Sequence, residues 1–218
     1  MDIILTGHDY KYAVEQMLLT LYPAERPNYP ARPSGGSCVS LTLADGTARC
    51  ALTVGGGVFH GEAAVGPYGS ALEQNRQEQR AVKLAFYRAA LASGHEKPVW
   101  GALTGVKPGK LMARYLDEGK TAEDFARDFD VSPERAAICR TTAQAARQAK
   151  RSLAPEDLCL YVGIPFCPTR CAYCSFIASA VGQNLKLMEP YLAALEKEIG
   201  QTAIRVREAG LRPAALYM

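Results

Sequence analysis

The last sixty or so residues constrain this chain most. Leu158-Cys159-Leu160-Tyr161-Val162-Gly163-Ile164 is an almost wholly apolar run between Pro155 and Pro165. Its length and flanks predict a short strand buried on both faces. Three cysteines follow at once. A helix is predicted over 186–209, where Met188, Leu192, Leu195, Ile199, Ala203 and Val206 step by three or four along one stripe. Gly210 closes that helix, Pro213 prevents its continuation, and Ala214 to Met218 opens a second apolar run. Strand, loop, helix and strand make the start of a βαβ unit with parallel strands. Chemistry in parallel α/β folds sits at the carboxyl ends of the strands, which is where the cysteine loop lies.

Cys167, Cys171 and Cys174 have the spacing C-x3-C-x2-C. Thiolates are soft ligands that suit zinc or iron–sulfur clusters. Three of them can hold three irons of a four-iron cluster, leaving the fourth iron open to a small ligand. A zinc site or a purely structural cluster would be closed by a fourth protein ligand. Cys159 is a poor candidate for that role, because it lies in the predicted strand roughly 25 Å upstream if the chain stays extended. A zinc knuckle and inert thiols are the alternatives on spacing alone.

Bulk properties exclude several classes. A net charge of +3, with both signs mixed along the chain, gives no argument for nucleic acid or a membrane surface. No run of eighteen apolar residues exists, so no membrane span is expected. The start has no basic region and only a short apolar stretch, unlike a secretory signal. The expected compartment is the cytoplasm. There the seven cysteines, an odd number with three inside eight residues, suit metal binding better than disulfides.

Upstream, residues 2–6 read as a strand and 9–21 as a helix, with Tyr12, Val14, Met17, Leu18 and Leu21 near helical spacing. Residues 23–37 are rich in Pro, Gly and Ser and read as a loop. Asp45-Gly46 is a strong two-residue hairpin turn. Pairing outward from it sets Leu43 opposite Ala48, Leu41 opposite Cys50 and Val39 opposite Leu52, all on one face. In that register Cys38 faces Thr53, so Cys38 and Cys50 read as reduced structural thiols. Residues 71–93 read as a helix. Three short helices fit 107–149, the first ended by Asp117-Glu118-Gly119 and the last opened by Ser132-Pro133-Glu134. Cys139 reads as packed, and His8, His60 and His95 as isolated. Neither Gly55-Gly56-Gly57 nor Gly109-Lys110 completes a phosphate loop. In the second, Thr104 stands where the first glycine belongs and Leu111 replaces the Ser or Thr.

The string Tyr161 to Phe176, with an aromatic residue before the third cysteine, resembles the signature of the radical S-adenosylmethionine (SAM) superfamily. Within it, the string is similar to the group of oxygen-independent coproporphyrinogen III oxidases and relatives. Gly163 stands where the oxidase proper has histidine, and Ser175-Phe176 where it has a further cysteine. Trp100 to Pro108 and Tyr115 to Gly119 resemble the amino-terminal region of the coproporphyrinogen dehydrogenase, HemZ-type, subgroup.

The resemblance implies a [4Fe–4S] cluster on Cys167, Cys171 and Cys174, with SAM at the open iron in contact with Tyr161 and Tyr173. No catalytic residue beyond the cluster ligands is assignable. An electron from a donor such as flavodoxin or ferredoxin would cleave the sulfonium to a 5′-deoxyadenosyl radical. That radical would take hydrogen from a propionate, and loss of CO2 and one electron would convert coproporphyrinogen III to protoporphyrinogen IX in haem biosynthesis. The rival function is a haem-binding chaperone of the same group without oxidase activity. The implied fold is α/β: a small α+β domain over 1–98, a helical connector over 99–155, and at 156–218 the start of an incomplete radical SAM (β/α) barrel. On that reading the chain stops after the first βα unit, just before the family's glycine-rich SAM segment, and is expected to lack turnover alone.

Overall fold

The computed structural model describes residues 1–169, 171–172, 174–176 and 179–218, with 179–184 as backbone only. The architecture is α+β. β1 (Asp2–Thr6) leads into α1 (Lys11–Leu21), and β2 (Cys38–Ala44), β3 (Thr47–Val54) and β4 (Gly57–Ala64) complete a four-stranded sheet in the order β1-β2-β3-β4. β1 runs parallel to β2, and the other neighbours are antiparallel.

The β2–β3 register is the one the Asp-Gly turn dictates: Leu43 opposite Ala48, Leu41 opposite Cys50, Val39 opposite Leu52 and Cys38 opposite Thr53. Asp45 and Gly46 take φ of 50° and 69°, the left-handed pair that a two-residue hairpin turn requires. Val39, Leu41, Ala48, Cys50 and Leu52 are buried. Removing each larger apolar side chain from water stabilises by about 1.5–3 kcal/mol. Burial also pushes the Cys50 thiol up to about 12, so it stays protonated. Cys38, Cys50 and Cys139 are free and buried.

On α1, Val14, Met17, Leu18 and Leu21 are buried as the spacing predicts, but Tyr12 is exposed and Ala13 takes its place in the core. The 23–37 loop is fastened by Asp2, whose carboxylate accepts from the Asn28 amide at 2.8 Å and from the Ser34 hydroxyl and backbone N–H at 2.6 and 2.7 Å. α2 (Ala71–Ala92) crosses the sheet. Ser70 caps it by accepting from the Glu73 N–H, while the Glu73 carboxylate accepts from the Gly69 N–H. At Gly61 the two layers touch through backbone. A Cβ there would lie 2.3 Å from the Ala85 carbonyl oxygen and 2.4 Å from the Ala89 nitrogen.

A second core follows. α3 (Pro108–Asp117), α4 (Ala122–Phe129) and α5 (Pro133–Arg151) gather Met112, Tyr115, Phe125, Phe129 and Cys139. Tyr115, Phe125 and Phe129 form an aromatic trio with centroids 5.3–5.9 Å apart. Two polar links join this core to α2: the Tyr87 hydroxyl donates to Asp130 at 2.7 Å, and Arg80 donates to the Asp128 carbonyl at 2.9 Å. The chain divides into two compact units, Met1–Arg147, which holds both cores, and Gln148–Met218.

The second unit contains β5 (Asp157–Tyr161), β6 (Phe166–Cys167), β7 (Ser179–Ala180), α6 (Val181–Glu208) and β8 (Arg212–Tyr217). β5 and β8 pair in parallel across α6, giving the expected βαβ unit. The strand differs from the sequence reading. It ends at Tyr161 rather than Ile164, and Cys159 and Tyr161 are exposed. Its sheet has only two strands among the described residues, and Leu158 and Leu160, between the exposed positions, are half-buried rather than buried. Outside 179–184, no described residue after Arg147 is buried. On α6, Leu192, Ile199 and Ala203 of the predicted stripe are exposed, whereas Tyr191 and Thr202 join Met188, Leu195 and Val206 as half-buried. No described helix is long and apolar enough to cross a membrane.

Candidate cysteine-loop site

The loop begins where β5 ends. One further backbone bond, from the Val162 N–H to the Tyr217 carbonyl at 2.8 Å, carries the ladder past Tyr161. Gly163, Ile164 and Pro165 then lead into β6. β6 pairs in parallel with β7, Phe166 beside Ser179 and Cys167 beside Ala180, so a two-residue ladder closes the base of the loop. Cys167 lies on that ladder. Beyond it the Cys171 carbonyl accepts from the Cys174 N–H at 3.0 Å, a turn that holds the backbones of those two residues together.

All three thiols are free. Cys167 and Cys174 are half-buried and Cys171 is exposed. Among the described residues no three His, Cys, Asp or Glu side chains converge closely enough to hold a metal ion. The loop therefore places the three cysteines on one short stretch of chain without drawing their sulfurs together. As a donor set, three accessible soft thiols on one loop fit an iron–sulfur cluster with one iron left open. Cys159 is held on the β5 ladder beside Ala215.

Tyr161 is at the mouth of the loop, 70% exposed, and stacks on Tyr217 with centroids 5.5 Å apart. Its ring also lies over Gly163, where a Cβ would come within 3.2 Å of the ring edge. A larger residue at 163 would need that ring to move. Tyr173 lies outside the described residues.

One loop-positioning residue escaped the sequence reading. The Tyr191 hydroxyl donates to the Gly163 carbonyl, and its ring meets Phe166 edge-on at 5.2 Å. α6 thus grips both sides of Ile164-Pro165. The signal was present in the three-and-four spacing of Met188, Tyr191 and Leu195, but the more apolar Leu192 masks it. At the far end of the strand pair, Arg212 Nε donates to Asp157 Oδ1 at 2.7 Å and the Ala154 N–H donates to Oδ2 at 2.8 Å. These bonds, that from Arg212 first, hold the Asp157 carboxyl below its ordinary pKa.

No family model matches the chain, and no solved structure does. Among curated proteins it is 28% identical, over 124 residues, to the oxygen-independent coproporphyrinogen-III oxidase-like protein HemZ of Bacillus subtilis (strain 168). That alignment covers 54% of this chain and 25% of HemZ, so the chain spans about a quarter of the length of this relative. The likeness supports a distant relationship to HemZ-type proteins.

Proposed function

We propose that this chain carries the cofactor-binding loop of a radical SAM protein related to the coproporphyrinogen oxidases of haem biosynthesis. The observation that supports it most is the three-thiol loop at the carboxyl end of a strand in a parallel βαβ unit. The distant likeness to HemZ agrees with it. On this reading β5, α6 and β8 are the opening of a (β/α) barrel, and the substrate of the whole protein is a porphyrinogen with propionate side chains. A small electron-transfer protein such as flavodoxin or ferredoxin would supply electrons.

In this reading Cys167, Cys171 and Cys174 are the protein ligands of a [4Fe–4S] cluster, and SAM takes the open iron. When bound, that pair supplies one-electron cleavage chemistry which the polypeptide itself lacks. The chain's own residues hold and orient. The β6–β7 ladder fixes where Cys167 leaves the sheet, and the Cys171–Cys174 turn keeps the backbones of the other two ligands close. Tyr191 restrains the segment that leads into the loop. Tyr161, stacked on Tyr217, presents an aromatic wall at the strand end against which an adenosyl group can pack. Tyr173 is proposed as a second contact to SAM.

Anaerobic reconstitution with iron and sulfide tests the assignment. The wild-type chain is expected to retain close to four irons and four sulfides per molecule, the content of a cluster of this type. A triple Cys167→Ala, Cys171→Ala, Cys174→Ala variant is expected to retain none. Equal iron in the two proteins would refute the site. Equal loss from a Cys159→Ala variant would mean that a fourth thiol closes the cluster.

A further inference from the structure

A cavity of about 820 Å³ opens in the first unit, bounded by α2, the Gly66–Gly69 segment, the 102–107 turn and α3. Its volume is that of a small-molecule site. Its charge is unusual. Seven Lys or Arg line it against three carboxylates, an excess of four in a chain whose whole net charge is +3. The rest of the molecule is therefore slightly acidic, and the positive field is concentrated here.

The three carboxylates are already engaged. Asp128 takes Arg80 at 3.3 Å and the Tyr115 hydroxyl at 2.9 Å. Glu118 takes Lys120 at 2.7 Å and Arg114 at 3.7 Å, and Glu73 accepts from the Gly69 N–H at 2.8 Å. Among the described residues this leaves Arg76, Lys83, Lys107 and Lys110 around the cavity without a counter-ion. Lys83 donates only to the Thr104 carbonyl, at 3.0 Å, and burial pushes its ammonium pKa down. A desolvated cation without an anion is costly unless something supplies one. Arg80 also has a buried Nε with no acceptor, although its guanidinium carbon lies over the Phe129 ring, 4.4 Å from the centroid. Leu84, Leu103 and Leu111 add apolar wall.

We propose that this cavity binds a small organic polyanion, its charge carried by phosphate or by clustered carboxylates. Apolar wall beside unpaired cations suits a ligand with an apolar body and a charged end. The volume admits a nucleotide-sized molecule and no duplex or peptide domain. Lys107 and Lys110, which do not complete a phosphate-loop pattern in sequence, come together with Lys83 and Arg76 only through the fold.

Isothermal titration of the 218-residue chain at low salt tests this, with pyrophosphate and ATP as phosphate probes and citrate and mellitate as carboxylate probes. Binding by at least one pair is expected, and which pair binds identifies the source of charge. A Lys107→Gln, Lys110→Gln variant, altered only at exposed positions, is expected to bind roughly tenfold or more weakly. A Lys197→Gln, Arg205→Gln control in the second unit is expected to match wild type. Absence of binding by all four probes, or equal affinity in the Lys107/Lys110 variant, would overturn the proposal. The result is independent of iron content, so it stands or falls separately from the cysteine loop.

Discussion

At Gly61 the sheet and α2 approach so closely that one methyl group decides whether they can. The neighbours of an added Cβ would be the Ala85 carbonyl and the Ala89 amide, both backbone, and neither can rotate aside. Gly61→Ala is therefore expected to cost the first unit about 1–3 kcal/mol, by displacement of α2 along a core of small residues. The midpoint of urea unfolding checks it, and an unchanged midpoint would show that the layers can slide. Residues of this kind are hard to read from sequence, because a glycine in β4 looks the same whether it faces solvent or a helix. Tyr191 is similar. Its role depends on Gly163 and Phe166, about 25 positions away, and its spacing alone reads as one more position on a stripe. The proposal for Cys167, Cys171 and Cys174 is the opposite case, since it rests on their spacing within one short stretch of sequence.

Single elements were legible wherever a local rule dominates. The Asp45-Gly46 turn sets a register in which each partner follows by counting, and the observed pairs are those partners. Of the three helices over 107–149, the stop at Asp117-Glu118-Gly119 and the start at Ser132-Pro133-Glu134 are legible in sequence, whereas the Thr121–Asp124 box that opens α4 is seen only in the structure. What sequence could not supply was the environment of an element. The β5 run has the composition of a strand covered on both sides, yet Cys159 and Tyr161 are exposed and Leu158 and Leu160 only half-buried. Tyr12 fits the α1 stripe by spacing, but Ala13 is the residue that is buried. The basic cavity draws on residues from Gly66 to Phe129, and no window of sequence contains it.

α4 offers an element-scale test with a definite pH range. Thr121 and Asp124 form a reciprocal capping box, and the Thr121 backbone N–H, then Arg127, hold the Asp124 carboxyl at about 2 instead of 3.8. A carboxyl lowered in the folded state contributes its stability above its unfolded pKa and loses it as pH falls through the folded one. The contribution of Asp124 is thus complete above about pH 4 and gone below about pH 2. Asp124→Asn is expected to flatten that part of the acid-unfolding curve while leaving the curve above about pH 5 parallel to wild type. Thr121→Ala, which removes the other half of the box, is expected to cost about 1 kcal/mol. Helical circular dichroism against pH reads both.

Across the whole chain, the two units differ in kind. Met1–Arg147 contains two buried clusters joined by the Tyr87–Asp130 and Arg80–Asp128 links. Gln148–Met218 contains ordered helix and paired strand but, outside 179–184, no buried residue among those described. Leu185, Leu187, Ile199, Ile204 and Leu216 are all at least half exposed. Limited trypsin digestion is expected to leave a protected fragment ending near Arg147 to Arg151, with early cuts along α6 at Lys186, Lys197 and Arg205. Equal protection of both parts would mean that the second unit has an interior after all.

The missing interior also has a calorimetric consequence. Heat capacity rises on unfolding because apolar surface meets water, at about 12–15 cal/mol/K for each residue of an ordinary globular protein. A unit in which no residue with a described side chain is buried has less left to hydrate, and it is expected to melt gradually, adding baseline slope rather than a peak. The main endotherm should therefore carry the increment of the 147 residues before the division, about 2 kcal/mol/K, where a uniformly cored chain of 218 would give about 3 kcal/mol/K. The cysteine loop is therefore expected to unfold without a separate transition of its own.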